Sequence, residues 1–278
     1  GYTMVYGVLR LINFAHGDLF TLGSYLGLTL LFSLGLQGKM SGILVGGALI
    51  VMSMGLVAVV GYLLERVAYR PLRGSNRLVA VVSALGASIF FSNAIMLVYG
   101  ARSQVYPNGI LPSVAVSLLG VDIPLMRIVM FVGTVVLMLL LCWFINHTRI
   151  GTAIRAVAID QDTAKLMGIN VDNIISMIFL IGPALGGAAG VMMGLYYGQI
   201  TYDMGFSFGL KAFTAAIMGG IGNIPGAMVG GILLGVLEAM GAAYVSIAWK
   251  DAIAFLVLIL ILIFRPTGLL GERVAEKI

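Results

Sequence analysis

Long apolar runs separated by short polar intervals form the main pattern of this 278-residue chain. A helix needs about 20 apolar residues to cross the hydrocarbon core of a bilayer, and fewer when it is broken. The apolar runs predict eight spans, at Leu19–Leu36, Gly42–Leu64, Leu78–Tyr99, Leu125–Ile145, Asn173–Tyr197, Phe206–Gly220, Pro225–Val245 and Asp251–Phe264. The stretch Gly1–Leu9 is apolar but too short, and it predicts one further, partial helix. Because the runs are continuous and do not alternate, helices are favoured over a transmembrane β-barrel.

Composition supports this interpretation. The chain is 60% hydrophobic and only 10% charged, whereas a soluble domain carries about 25% charged residues. We therefore expect an all-α, polytopic integral membrane protein that forms a single transmembrane domain over residues 1–278. The net charge of +5 is spread over short loops without interleaved aromatic residues, which argues against nucleic-acid binding. Cys142 is the single cysteine, so neither an intrachain disulfide nor a cysteine-based zinc site is possible.

The distribution of Lys and Arg predicts which intervals face the cytoplasm. The interval after Leu64 is rich in arginine, and so are the central interval, Gly151–Gly168 with its flanks, and the segment after Phe264. The alternate intervals carry only Lys39, Arg102 and Lys250. We assign the three basic intervals to the cytoplasm and the loop of residues 100–124 to the outside, where it either docks a partner or simply connects two helices.

A polar break, with the sequence RLINFAHGD, interrupts the first apolar residues and contains Arg10, Asn13, His16 and Asp18. Polar groups at membrane depth are costly, so they suggest a substrate path. The alternative is that His16 and Asp18 cap helix ends at the membrane boundary. No G-x-S-x-G motif accompanies them, and the chain has only two histidines, so neither nucleophilic catalysis nor a histidine-rich metal site is indicated.

A second break, GGIGNIPG, includes Gly220, Gly222, Asn223 and Pro225. It lacks the lysine of a phosphate-binding loop, so we expect a tight turn or a broken helix and no ATP site in this chain. Glycines recur every four residues in two places, at Gly182, Gly186, Gly190, Gly194 and Gly198 and again at Gly222, Gly226 and Gly230. This spacing allows close helix packing, which we expect within one subunit rather than between two.

Two charged residues lie in the later apolar runs. Glu238 is an intramembrane acid that either faces a translocation path or pairs with a polar neighbour, and the sequence names no partner for it. We expect Lys211 near a membrane boundary, with its side chain extended towards water.

The central interval, GTAIRAVAIDQDTAKLMG, is the longest polar stretch on the predicted cytoplasmic side. If it is helical, Ala164 and Gly168 are four residues apart and share a shallow face against which another protein could pack. Asp162 lies early, where the helix dipole favours an acid. Arg155, Asp162, Ala164 and Gly168 are therefore candidate partner contacts, and we expect a bulky residue at Gly168 to displace the partner. The alternative is an ordinary connecting helix.

The segment from Asp162 to Gly168 resembles the coupling motif of bacterial ABC importer permeases, with Thr163 in place of the usual first alanine. Three longer runs, in the same order, resemble the high-affinity branched-chain amino acid permeases within that group. They are GYTMVYGVLRLINFAHGDLFTLGSYLG, AIRAVAIDQDTAKLMGINVDNIISMIFLIGPALGGAAG and LKAFTAAIMGGIGNIPGAMVGGILLGVLE.

The resemblance covers nearly the whole chain and matches the shorter of the two permease types of this family. It implies a permease subunit that moves branched-chain amino acids across the bacterial inner membrane by alternating access. It also implies a membrane segment before Gly1.

The resemblance implies partners as well. We expect two cytoplasmic ATPase subunits that hold ATP and magnesium, a second related permease and an external or periplasmic substrate-binding protein, with no cofactor or catalytic residue in this chain. Three alternatives remain: a permease of the same class for urea or short amides, an ion-coupled secondary transporter, and a membrane-embedded enzyme. The second would carry more intramembrane carboxylates, and the third needs a convergent acid/base or metal set that the sequence lacks.

Overall fold

The computed structural model describes residues 1–9, 11, 13–35, 42–73, 75–107, 115–118 and 120–271. Its α-helices are α1 (Tyr2–Leu9), α2 (Ala15–Ser33), α3 (Gly42–Leu64), α4 (Arg77–Tyr99), α5 (Leu125–His147), α6 (Arg149–Ile159), α7 (Gln161–Leu166), α8 (Val171–Tyr197), α9 (Met204–Gly219), α10 (Ile224–Tyr244) and α11 (Lys250–Phe264). A π-helical turn (Glu65–Tyr69) and a 3-10 turn (Arg70–Leu72) follow α3, and another 3-10 turn (Ile247–Trp249) precedes α11.

Two short antiparallel strand pairs complete the described structure. One joins β1 (Gln104–Val105) to β4 (Gln199–Ile200), and the other joins β2 (Ala115–Leu118) to β3 (Val121–Pro124). The predicted helical class is confirmed.

The predicted number of eight spans is not confirmed. Within the described residues, six helical segments are long and apolar enough to cross a membrane: Gly42–Leu72, Leu78–Tyr99, Leu125–His147, Val171–Tyr197, Ile224–Tyr244 and Ile247–Phe264. Helix α9 is apolar but has only 16 residues. Helix α2 has 19 residues but is not among the six.

Protein surrounds helix α2. It contacts α3, α4, α8 and α9, and most of its residues are buried. Polar side chains such as Thr21 and Ser24 therefore find backbone partners: Thr21 donates to the carbonyl of Gly17, and Ser24 to that of Thr21 at 2.7 Å. A helix enclosed by protein does not need the continuous apolar surface that lipid would require.

Helix α2 also begins earlier than its apolar run predicts, at Ala15 instead of Leu19. His16 and Asp18 therefore lie in its first turn and not in the preceding break, so the expectation that both lie in a break is wrong. The acid at this position is favoured by the helix dipole. Asn170 and Asn223 cap α8 and α10 by accepting the backbone N–H groups of Asn173 and Gly226.

The basic intervals come together at one end of the molecule, which we call the basic end. Gln161 in α7 donates to the carbonyl of Val8 in α1 at 2.8 Å. Gly222, between α9 and α10, lies against Gly7 of the same helix α1. Ion pairs from the turn after α3 to the start of α8 extend this end, and β1 and β4 pair at the other. The Lys/Arg bias thus correctly groups these intervals.

Helices α2 and α8 approach so closely that their backbones touch. A Cβ atom built on Gly23 would lie 2.4 Å from the Cα atom of Gly187, and one on Gly190 would lie 2.0 Å from the carbonyl oxygen of Phe20. Later in the chain, Gly226 packs in the same way against Gly219. The prediction that the periodic glycines serve packing within one chain is confirmed at Gly190 and Gly226, whereas Gly23, Gly187 and Gly219 lie outside the predicted set.

We predict that Gly23→Val lowers the free energy of unfolding by about 1–3 kcal/mol, because its Cβ would lie 2.4 Å from the Cα atom of Gly187 and a packed interface cannot absorb the added methyl groups. Thermal unfolding of the purified protein in detergent measures the effect. Gly55→Val is the matched control, since no atom of the part of the chain that the structure describes lies within 4 Å of a Cβ at Gly55 in α3. Equal melting temperatures for the two variants would contradict the backbone contact.

Candidate functional site

The break between α1 and α2 is held by a buried amide. Asn13 is 1% exposed, and its Oδ1 atom accepts a hydrogen bond of 2.7 Å from the Tyr69 hydroxyl in the π-helical turn. Its Nδ2 atom has no hydrogen-bond partner among the described residues. Arg10, the other polar residue predicted here, lies outside the described residues. Asn13 thus joins the break to the end of α3.

The two polar residues in the first turn of α2 point in different directions. Asp18 is buried and accepts a hydrogen bond from Ser88 Oγ in the middle of α4. His16 is 6% exposed, and its ring packs edge-on against Tyr2 with centroids 4.6 Å apart. Its Nδ1 atom has no hydrogen-bond partner among the described residues. Asp18 is therefore paired, whereas His16 retains an unused polar atom.

His16 lies on the wall of a cavity of about 410 Å³ between α1, α2, α8, α9 and α10. Small and apolar side chains make up most of this wall: Gly17, Phe20, Leu185, Gly186, Ala189, Phe208, Gly209, Ala212, Ala215, Ala216, Ala227, Gly231 and Leu234. Its polar side chains come from Tyr2, Thr3, His16 and Lys211. Of the four residues predicted along a substrate path, only His16 lines this cavity.

Glu238 has a partner that the sequence could not name. The Nζ atom of Lys211 in α9 lies 3.1 Å from Oε1 of Glu238 in α10 and 2.7 Å from Oδ1 of Asp251 in α11. Lys211 is therefore held between two carboxylates, one of them in the first turn of α11, and its expected place near a membrane boundary stays a prediction. The pairing offsets the cost of placing these charges in three apolar helices.

The second predicted break is a tight turn between α9 and α10. Gly220 and Gly222 have φ angles of +110° and +98°, which favour glycine. Asn223 donates from Nδ2 to the carbonyl of Leu270 at 2.9 Å, and Pro225 lies in the first turn of α10. The backbone N–H groups of Leu269 and Leu270 also bind the carbonyls of Met218 and Gly219. This turn lies at the basic end and does not line the cavity.

The central interval forms two short helices, α6 and α7, separated by Asp160. The Oδ1 atom of Asp160 accepts the backbone N–H groups of Asp162 and Thr163 at 3.0 and 3.2 Å, which begins α7. Arg155 in α6 is exposed and donates to Asn146 Oδ1 at the end of α5 at 2.9 Å. Asp162 is exposed and pairs with Lys165 at 3.0 Å.

The expected common face of Ala164 and Gly168 is wrong. Ala164 is 3% exposed and packs into the apolar cluster beneath α7, so it faces inward. Gly168 lies beyond the end of α7, with a φ of +82° and none of the described residues within 4 Å of a Cβ. A bulky residue at Gly168 would therefore meet none of them, but any L side chain would strain the backbone, so neither Trp nor Ala there isolates a partner contact.

Besides the exposed Arg155 and Asp162, the outward surface of the central interval carries three apolar side chains that the sequence analysis did not select. Ile159, Leu166 and Met167 are 80%, 87% and 78% exposed. The sequence pattern could have identified Leu166, since helical spacing places it on the face opposite the buried Ala164. Among the residues that the structure describes, no group of three or more His, Cys, Asp or Glu side chains could hold a metal ion.

Comparisons with known proteins identify close relatives. Residues 1–262 match a family model described as branched-chain amino acid transport system / permease component. The high-affinity branched-chain amino acid transport system permease protein BraD of Pseudomonas aeruginosa is 48% identical over the whole of this chain and 92% of its own length. The permease proteins LivH of Escherichia coli and Salmonella typhimurium are 44% and 43% identical over the whole of this chain and 91% of theirs. No solved structure matches the chain.

We predict that Lys211→Met lowers the free energy of unfolding by about 1–3 kcal/mol, because it leaves Glu238 and Asp251 without their cation. Thermal unfolding in detergent measures the loss. Lys250→Met, which removes the same charge from the first residue of α11, should have little effect. Equal melting temperatures for the two variants would show that the ion pairs do not hold α9, α10 and α11 together.

Proposed function

Because the chain belongs to the family of branched-chain amino acid transport permease components, we propose that it moves leucine, isoleucine and valine across the bacterial inner membrane as one subunit of an ABC importer. The observation that carries this proposal is full-length identity of 43–48% to permeases of branched-chain amino acid transport. The helical, multi-pass architecture agrees with it. The chain is a transport component and not an enzyme.

The cavity supports an aliphatic cargo. Its volume of about 410 Å³ is within the range of small-molecule sites, and its wall is mostly Gly, Ala, Leu and Phe. Such a wall favours an apolar side chain, whereas urea and short amides need several polar groups to replace lost water contacts. His16, Lys211 and Tyr2 are the titratable side chains on the wall. We therefore place the cargo path along this cavity, with His16 beside it.

We assign the surrounding candidate residues to the support of this path. Asn13 and Asp18 hold the break and the first turn of α2 through Tyr69 and Ser88. Glu238 holds Lys211 on the cavity wall. An ion-coupled transporter is not favoured, because both Asp18 and Glu238 already have partners inside the protein and the relatives are components of multi-protein transport systems.

In this proposal, ATP hydrolysis in separate subunits supplies the free energy for transport. Two ATPase subunits bind ATP and magnesium at the cytoplasmic side, a second related permease lies beside this one, and an external binding protein delivers the cargo. The ATPases dock on the central interval at the basic end. Its exposed Leu166 and Met167, with the Asp162–Lys165 pair beside them, form an apolar patch with a polar rim, which is the usual composition of a protein interface.

Transport of leucine is the direct test. We expect the permease, reconstituted with its partner subunits, to take up leucine in competition with isoleucine and valine and not with urea. We expect His16→Leu to lower uptake about tenfold without lowering the amount in the membrane, because a polar atom on the path is lost. His147→Leu, the same change at the exposed end of α5, is the control. Competition by urea, or equal loss in both variants, would contradict the proposal.

Docking of the ATPases is tested separately at Met167. We expect Met167→Asp to weaken pull-down of the ATPase by about tenfold or more, since a charge would be buried in an apolar contact, while the permease stays folded in the membrane. Val245→Asp places the same charge at an exposed position after α10, away from the basic end. Full ATPase binding by Met167→Asp would show that this patch is not the docking surface.

A further inference from the structure

The helical run that starts with α3 ends in an unusual way. At Glu65–Tyr69 it changes to a π-helical turn, in which the backbone N–H of Arg70 bonds to the carbonyl of Glu65. Ser83 of α4 donates to the carbonyl of Ala68 at 2.9 Å. Single π-helical turns inside helices occur frequently at functional sites. Here the turn makes two residues, Glu65 and Tyr69, face the interior.

Glu65 is the centre of an ion-pair cluster formed by Glu65, Arg70, Arg73 and Asp172. It is completely buried, and its two oxygens bind different elements. One pairs with Arg73, and the other accepts a hydrogen bond of 2.8 Å from Ser176 in α8. Arg73 also pairs with Asp172 in the first turn of α8, and Arg70 lies 3.7 Å from the same carboxylate. The cluster thus joins the end of α3 to the start of α8 at two residues, Asp172 and Ser176.

The start of α8 is tied closely to the central interval. The turn after α7 is short, and the backbone N–H of Ile169 bonds to the carbonyl of Ala164 at 3.0 Å. Asn170 then caps α8 directly before Asp172. Any displacement of α7 must therefore move the carboxylate that Arg73 holds, because densely packed elements transmit strain instead of absorbing it.

The other inward residue of the π-helical turn leads to the cargo path. Tyr69 packs its ring against Phe179 of α8, with centroids 4.9 Å apart, and its hydroxyl binds Asn13 in the α1–α2 break. Asn13 in turn accepts the backbone N–H of His16 through its carbonyl at 3.2 Å. One continuous set of contacts therefore runs from α7 to His16 on the cavity wall.

We propose that Glu65 is a positioning residue of the transport cycle: through Arg73 it makes the π-helical turn follow the start of α8, so that movement of the central interval reaches Asn13 and His16. This inference rests on the proposed function, because it needs a partner that drives α7. A buried charge is a costly way to gain stability alone. Its use here is to give the α3–α8 contact a defined geometry that can transmit a displacement.

The test compares ATP hydrolysed with leucine transported in the complete reconstituted assembly. Glu65→Gln keeps the size and the Ser176 contact but removes the charge that holds Arg73. We expect ATP hydrolysis to continue while uptake falls, so that the ratio of ATP hydrolysed to leucine transported rises about tenfold. Arg66→Gln is the matched control, since Arg66 lies in the same turn but is exposed over the Tyr62 ring.

A second pair of variants tests the contact between the π-helical turn and Asn13. Tyr69→Phe removes only the hydroxyl that binds Asn13 and should raise the same ratio, whereas Tyr62→Phe should not. A purely stabilising role would lower uptake and ATP hydrolysis together, in proportion to the protein that remains in the membrane. That result, or an unchanged ratio in Glu65→Gln, would overturn the inference. Failure of the unmodified assembly to transport leucine would overturn the proposed function as well.

Discussion

The backbone contact between α2 and α8 is the constraint on which the rest of this structure depends. Gly23 meets Gly187, and Phe20 meets Gly190, at distances that leave no room for a side chain. In a membrane, small residues allow such an approach, and van der Waals packing replaces the hydrophobic driving force that water provides. Because α3, α4 and α9 complete the enclosure of α2 beside α8, α2 can carry His16 and Asp18 in buried positions. Other glycines of these helices, Gly17, Gly186 and Gly209, line the cavity beside His16.

The sequence predicts the apolar helices well, because lipid imposes a simple rule of length and composition on any helix that it touches. The bounds of α3 agree residue for residue, and those of α4, α10 and α11 agree within one residue. The rule fails for α2, because protein and not lipid surrounds this helix. Glycine and polar residues are therefore tolerated there. The rule also does not decide for α9, whose apolar helix has only 16 residues. The Lys/Arg distribution groups the basic intervals at one end because it depends on charge at the membrane surface and not on side-chain contacts.

The candidate site was only partly predictable. Polar residues in apolar runs drew attention to Asn13, His16, Asp18 and Glu238, but their partners, Tyr69, Ser88 and Lys211, come from helices far away in sequence, and no local pattern reveals such pairs. Glu65 was overlooked because it follows an apolar run at a point where a charged residue looks like the start of a loop. Its burial arises from the π-helical turn, which depends on contacts with α4 and α8. At Gly168, helical spacing misled the interpretation because the helix ends two residues earlier, at Leu166.

The pairing of Leu269 and Leu270 with Met218 and Gly219 has a consequence for biosynthesis. The turn between α9 and α10 depends on a segment made 47 residues after Asn223. At typical synthesis rates of about 5–20 residues per second, the ribosome needs several seconds to make that segment. During this interval the carbonyls of Met218 and Gly219 lack their final partners while α10 and α11 are inserted. The last turn of α9 is therefore completed late, after the helices that follow it, and a ribosome stalled before residue 269 would hold a chain in which this turn is still open.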